Sequence, residues 1–152
     1  MEHITEISDS GRITEIVNKA FMTVARQFNY TKENASHFPV FAEKEEICRQ
    51  LESGLKMYGY VKDDEIIACI GYSYQENQKY LIERLATLPE YRHLGIGTKL
   101  LDFAEQKIRD RDGKTAEVHI VDNNKVLKVW YKKLSYKESR IEAPAFYHLK
   151  YV

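Results

Sequence analysis

Apolar residues recur along this chain with two periods, and the changes of period mark its elements. Ile13, Ile16, Val17, Ala20, Phe21, Val24 and Phe28 fall three and four apart, which predicts an amphipathic helix capped by Asp9 or Ser10. Residues 3–7 ahead of it predict a short first strand. The stretch NYTKENASHFPVFA (29–42) breaks the helical period, and Pro39 disfavours helix around it. A shorter helix is predicted from about Glu43, burying Ile47, Cys48 and Leu51, with Gly54 suiting its C-terminal end. LKMYGYV and EIIACIGYSY are β-branched or aromatic in character and are separated by KDD, the pattern of a hairpin. KYLIERLATL predicts a third strand that ends at Pro89.

Helical spacing returns with Ile96, Leu100, Leu101, Ala104 and Ile108, running to about Arg111, with Gly113 closing the helix. AEVHIV (116–121) predicts a strand. NKVLKVWYKKL (124–134) predicts a helix burying Leu127, Trp130, Tyr131 and Leu134, and the tail predicts two closing strands around Pro144. This order gives a mixed sheet with helices packed on it, an α/β domain of the α+β type. No repeat, low-complexity segment or Pro/Gly-rich linker interrupts the 152 residues, so residues 1–152 are expected to form one domain.

Composition narrows the partners. Lys plus Arg equals Asp plus Glu at 23 each, so the basic surplus with which nucleic-acid binders neutralise phosphates is missing. The longest uninterrupted apolar run is Ile66 to Ile70, far short of the roughly 20 residues of a membrane span. MEHITEISDS lacks the basic and apolar regions of a signal peptide, so the cytoplasm is the expected compartment. Cys48 and Cys69 have neither metal-type nor redox-type spacing and are expected as plain thiols, with no metal.

The candidate chemistry lies in YRHLGIGTKLL (91–101), where a strand gives way to a helix. A helix start leaves its first N–H groups without partners and carries partial positive charge, and glycine lets a phosphate approach the main chain. A dinucleotide-binding G-x-G-x-x-G would need Gly or Ala where Leu100 stands, and the P-loop pattern is absent. The missing third glycine sets aside a nicotinamide-dependent oxidoreductase. Arg92-His93-Leu94-Gly95-Ile96-Gly97 instead fills each fixed position of [Q/R]-x-x-G-x-[G/A]. Asn124, Leu127 and Tyr131 fit N-x-x-[A/L]-x-x-x-Y-x-x-x-G-F, with Ser135-Tyr136 in place of Gly-Phe. On these two motifs and the element order, the chain resembles the GNAT N-acetyltransferase family over nearly its whole length.

That resemblance implies the GNAT fold, a mixed central sheet with a splayed mid-sheet cleft, and acetyl-CoA as cosubstrate. It assigns Leu85, Ala86 and Thr87 to backbone contacts with pantetheine, in the manner of an added strand. It places the pyrophosphate on the amides of Leu94, Gly95, Ile96, Gly97 and Thr98, with Arg92 and His93 beside it. Asn124 is implied as a cofactor contact, although helix capping alone also explains it. Glu83, the only acid on its strand, is implied as general base; simple alternation would give it the pleat parity of Leu85 and Thr87. Its competing role is an ion pair with Arg84 or a neighbouring lysine. Tyr131 is implied as the acid that protonates the sulfur, and it also lies on an apolar stripe. His119 is an alternative base or a buried structural histidine.

For the acceptor, the resemblance points to residues 29–42, with Tyr30, Asn34, His37 and Phe38, and to residues 136–148. Tyr72 and Tyr74 are added from the meander. No acidic cluster stands out in these stretches, so a small-molecule or peptide amine is expected rather than a strongly cationic aminoglycoside. Ser135, at a turn where glycine tolerates positive φ, is expected to distort the lead into the next strand. A homodimer is implied by analogy, and the alternative function is a non-catalytic acyl-CoA-binding module.

Overall fold

The computed structural model describes residues 2–29, 31–33, 41–121, 124–142 and 145–152. In chain order the elements are β1 (His3–Ile7), α1 (Ser10–Gln27), α2 (Lys44–Glu52), β2 (Lys56–Lys62), β3 (Glu65–Glu76) and β4 (Lys79–Thr87). After a 3-10 turn at Pro89–Tyr91 come α3 (Ile96–Asp110), β5 (Thr115–Val121), α4 (Lys125–Lys133), β6 (Lys137–Glu142) and β7 (Ala145–Tyr151). The strands form one sheet in the order β1-β2-β3-β4-β5-β7-β6. Every neighbouring pair is antiparallel except β4 and β5. The mixed α/β architecture expected from the sequence is therefore the one observed, with the C-terminal strand inserted between β5 and β6.

Local chemistry explains where the elements start and stop. Asp9 caps α1, its carboxylate accepting from Arg12 N at 3.1 Å. The β2–β3 hairpin turns on Asp63 and Asp64 (φ 50° and 63°), and the β3–β4 hairpin on Asn77 and Gln78 (φ 51° and 62°). Two successive left-handed residues make the turn whose twist matches that of paired strands, and Asp and Asn tolerate it better than most. At the end of α3, Asp112 (φ 60°) rather than Gly113 takes the left-handed position. Gly113 serves by its size: a Cβ there would lie 2.3 Å from Ile108 Cγ2.

The sheet's two faces differ in character. Register places Tyr58, Tyr60, Tyr72 and Tyr80 on one face, beneath α3. There Phe103 meets the Tyr58 ring edge-on at 4.9 Å, and Lys99 lies over Tyr60. The opposite face is covered by α1 and α2, whose Ile13, Ile16, Val17 and Ile47 are fully buried. Each such aliphatic side chain contributes about 1.5–3 kcal/mol by leaving water. Among the described residues, no helix is long and apolar enough to cross a membrane.

Candidate active site

The two parallel strands part company halfway along. β4 pairs with β5 only from Lys79↔Thr115 to Ile82↔Val118, although β4 continues to Thr87 and β5 to Val121. On its other edge β4 stays paired with β3, through Gly71↔Glu83, Cys69↔Ala86 and Ala68↔Thr87. There two steps along β3 correspond to three along β4, so β4 carries a bulge, and Arg84 sits in it at φ 56°. A bulge bends its strand and increases local twist, which turns the second half of β4 away from β5. Helix α2 holds the bulge in place: Arg84 Nε donates to Gln50 Oε1 at 2.9 Å, and Glu46 lies 3.9 Å from Nη2. The Cys69 thiol donates to the Arg84 carbonyl at 3.4 Å. The β5-facing main chain of residues 83–87 is thus left outside the parallel ladder.

The bulge corrects one expectation. Glu83 and Ala86 oppose Gly71 and Cys69, which lie on the same face of β3, so Glu83 shares its face with Ala86. Thr87, opposite Ala68, points to the other side. Simple alternation from Glu83 to Thr87 fails because Arg84 inserts one extra residue.

Beyond β4 the chain turns sharply into α3. Leu88 N donates to Ile67 O at 2.9 Å, and Arg92 N to Pro89 O at 3.4 Å. His93 (φ 64°) and Gly95 (φ 79°) are both left-handed, and Gly95 is the N-cap of α3. The first helical bond runs from Lys99 N to Gly95 O at 3.1 Å. Among the described residues, the N–H groups of residues 93–98 donate to no protein acceptor. A Cβ on Gly95 would meet nothing within 4 Å, so its role is conformational; one on Gly97 would lie 3.7 Å from the Trp130 ring. An open row of amides at a helix start, with His93, Leu94 and Gly95 exposed, suits an anion. The Arg92 guanidinium is engaged elsewhere: it donates to Thr23 Oγ1 at 2.9 Å and to the Ala20 carbonyl, tying the turn to α1.

The two residues expected to handle protons lie in different surroundings. Glu83 lies on the α1–α2 face, and among the described residues its carboxylate makes no hydrogen bond or ion pair. Burial pushes its pKa up, opposed by the charge of Arg84 and reinforced by Glu46. Its alternative pairing with Arg84 is not made, because Arg84 is taken by α2. Tyr131 lies on α4 at 5 % exposure, against Trp130 and Tyr136 at ring distances of 4.9 and 5.3 Å. Burial, and then the nearby Glu105, raise its pKa and hold its proton in place. Asn124 caps α4, its side chain accepting from Leu127 N at 3.2 Å.

Other expected residues fall differently. Tyr30, Asn34, His37 and Phe38 lie outside the described residues. Tyr72 is 2 % exposed in the tyrosine layer beneath α3, so the structure does not bring it to the Glu83 face. Tyr74 is exposed and packs edge-on against Tyr80. His119 is not the buried histidine expected, since its side chain is 39 % exposed, and it lies 3.2 Å from Glu117. Ser135 adopts φ 74° without disturbing the lead into β6, as Tyr136 N still donates to Tyr131 O at 3.1 Å. A feature missed from sequence is buried Glu105, which accepts from Tyr136 OH at 2.7 Å and Lys150 Nζ at 2.8 Å. Its signal was present: Glu105 follows Leu101 by four positions, an acid inside an apolar helical stripe.

The sequence model of the acetyltransferase (GNAT) family matches residues 15–136. The chain belongs to the GNAT acetyltransferase family. No curated protein matches this GNAT chain. Its fold is that of the PaiA N-acetyltransferase of Thermoplasma acidophilum in complex with coenzyme A. That likeness has 20 % identity, a TM-score of 0.85, and coverage of 100 % of this chain and 99 % of the other. The ribosomal-protein-S18-alanine N-acetyltransferase of Escherichia coli is similar over 100 % of this chain and 94 % of its own, with 12 % identity and a TM-score of 0.79. A GNAT-family acetyltransferase of Staphylococcus aureus aligns over 99 % of both chains, with 16 % identity and a TM-score of 0.76. These likenesses establish the GNAT fold, including its splayed sheet.

Proposed function

We propose that this chain transfers an acetyl group from acetyl-CoA to a primary amine of a small molecule or peptide, by direct attack in a ternary complex. The observation that carries the reading is the end of the β4–β5 ladder at Ile82↔Val118, beside the open amide row of residues 93–98. A pantetheine arm carries amides that match the unpaired edge of β4, and a pyrophosphate matches the start of α3. The coenzyme A held by the PaiA N-acetyltransferase, a protein of the same fold, supports the same ligand here. Leu85, Ala86 and Thr87 would hold the arm, and Leu94 to Thr98 the phosphates, with His93 and Asn124 at the rim. Arg92 contributes by fixing the turn against α1.

Acetyl-CoA, when bound, supplies an activated acyl carbonyl and a thiol leaving group. The residues of this chain manage two protons. Glu83 takes the proton that makes an ammonium non-nucleophilic, and its raised pKa suits a base working near neutrality. Tyr131 donates to the departing sulfur from the other face of the sheet. Its raised pKa keeps the donor loaded at every working pH. The same shift makes it a weaker acid, so transfer requires the sulfur to be comparably desolvated.

A thiol-release screen with acetyl-CoA against diverse amines and peptides tests this reading. Acetyl-CoA should raise Tm, at least one amine should release thiol, and Tyr131→Phe should lower kcat about 10- to 100-fold with little change in cofactor affinity. Stabilisation without thiol release from any amine would favour the non-catalytic binding module. Absence of both would overturn the assignment.

A further inference from the structure

Past the last β4–β5 pair, the next residues on the Glu83-bearing face are Glu83 on β4 and His119 on β5. Register fixes this. Leu81 pairs with Glu117, and Leu81 and Glu83 oppose Ser73 and Gly71 on one face of β3, so Leu81, Glu83, Glu117 and His119 share a face. The two side chains stand on opposite lips of the opening, at least one strand spacing apart, about 4.8 Å. Their surroundings differ. Glu83 is partly buried, whereas His119 is exposed to solvent. Glu117, one pleat below His119, has a side chain only 6 % exposed; Oε1 lies 3.2 Å from His119 Nε2 and Oε2 3.1 Å from Lys79 Nζ. A buried carboxylate on one ring nitrogen fixes an imidazole's tautomer and orientation.

We propose that His119, oriented by Glu117, receives the proton that Glu83 removes from the acceptor amine and passes it to solvent. The proposal rests on the amine-acetyltransferase reading and adds the route by which its base is reset. One proton moves from the ammonium to the Glu83 carboxylate, then through water to the imidazole, and then to bulk. The relay returns Glu83 and His119 to their starting protonation states. Glu83 is only partly buried, but acceptor and cofactor filling the opening would cut it off from bulk water, so a base there needs such an outlet. Among the described residues, the charged groups on this face include Glu117 and Lys79 at the base of the opening, Glu83 across it, and Arg84 of β4 and Glu46 of α2 beside Glu83. On the far side of β5, Tyr147 occupies the register position of His119, and Arg140 that of Tyr147. His119 and Glu117 act through Glu83 and are positioning residues.

The test has two arms, both on the 152-residue chain. NMR titration of histidine-labelled protein, with His119 assigned by its loss in His119→Gln, should show the His119 pKa falling in Glu83→Gln and in Glu117→Gln. Each removes a nearby negative charge. With acetyl-CoA and the fastest amine of the thiol-release screen, His119→Gln should lower kcat about tenfold or more, leave acetyl-CoA affinity within twofold, and be rescued by added imidazole. Glu117→Gln should shift the acidic limb of the kcat profile to lower pH. A His119 titration indifferent to Glu83→Gln, or a kcat within twofold of wild type in His119→Gln, would overturn the proposal and leave the enzyme reading standing. Failure of the wild type to bind acetyl-CoA would overturn the enzyme reading instead. The titration needs neither cofactor nor acceptor and still decides whether Glu83 and His119 are coupled.

Discussion

The two halves of β4 make an instructive contrast. From Lys79 to Ile82 the strand is paired on both edges, with β3 and with β5, and Tyr80 and Ile82 are buried beneath α3. From Glu83 to Thr87 it keeps β3 but loses β5. The first half is spent on stability. The second keeps unpaired main chain beside a helix start, and holds it open with a bulged arginine anchored by α2. A strand whose two edges were both satisfied would have nothing to offer a ligand with its own amides. The difference between the doubly paired and the open half of β4 is therefore one extra residue, Arg84, and the side chains that fix it.

The largest effect expected from disturbing this contrast comes at the anion site proposed for the start of α3. Gly97→Trp would place a second large ring against Trp130, already 3.7 Å from a Cβ at this position, and across the amide row. Calorimetry should show coenzyme A affinity falling at least about 1,000-fold, or about 4.1 kcal/mol, in a protein that remains folded. Next is Glu105→Ala, which leaves Lys150 and Tyr136 without their buried acceptor behind Tyr131. Breaking such a network should cost about 3 kcal/mol, seen as a fall in denaturation midpoint, with coenzyme A affinity largely preserved. This sharpens the contrast, because it weakens the scaffold and spares the cradle.

Glu83→Gln probes the junction between the halves. The folded-state pKa of Glu83 lies above its unfolded value, so its contribution to stability is present below the unfolded pKa and is lost as pH rises through the folded one. The neutral isostere removes that loss. Tm of the variant should exceed that of wild type at neutral pH, with the gap closing near the ordinary glutamate value of about 4.3. Turnover should fall, most at low pH where the amine is fully protonated. An unchanged pH–rate profile would remove Glu83 from the mechanism. The smallest effect is that of Ser135→Gly. Relief of a left-handed serine, offset by glycine's extra chain entropy, should add about 0.5–1 kcal/mol in thermal denaturation without altering kcat.

The sequence made the element order legible because each period was sustained and each break chemically marked: Asp9 before α1, two aspartates at the first hairpin, Gly95 before α3. The amide cradle was legible for the same reason, since glycines between strand and helix advertise exposed backbone. The reading went astray where side chains act across elements. Nothing in ERLAT announces that Arg84 will find Gln50 and bulge the strand, so the face of Thr87 was inverted. Tyr72 looked like an acceptor wall because an aromatic on a half-buried strand suits either face, and only the packing of α3 decides which. Gly113 looked like a cap, yet Asp112 took the strained position and Gly113 yielded space to Ile108. The Glu105 network was hidden because its partners, Tyr136 and Lys150, are far along the chain.

Trp130 is the chain's sole tryptophan, and its ring lies over Gly97 in the first turn of α3. All indole emission of this protein therefore originates at the edge of the cradle. A ligand settling on those amides changes the polarity and quenching around a single emitter, so occupancy can be followed in unlabelled protein by fluorescence alone.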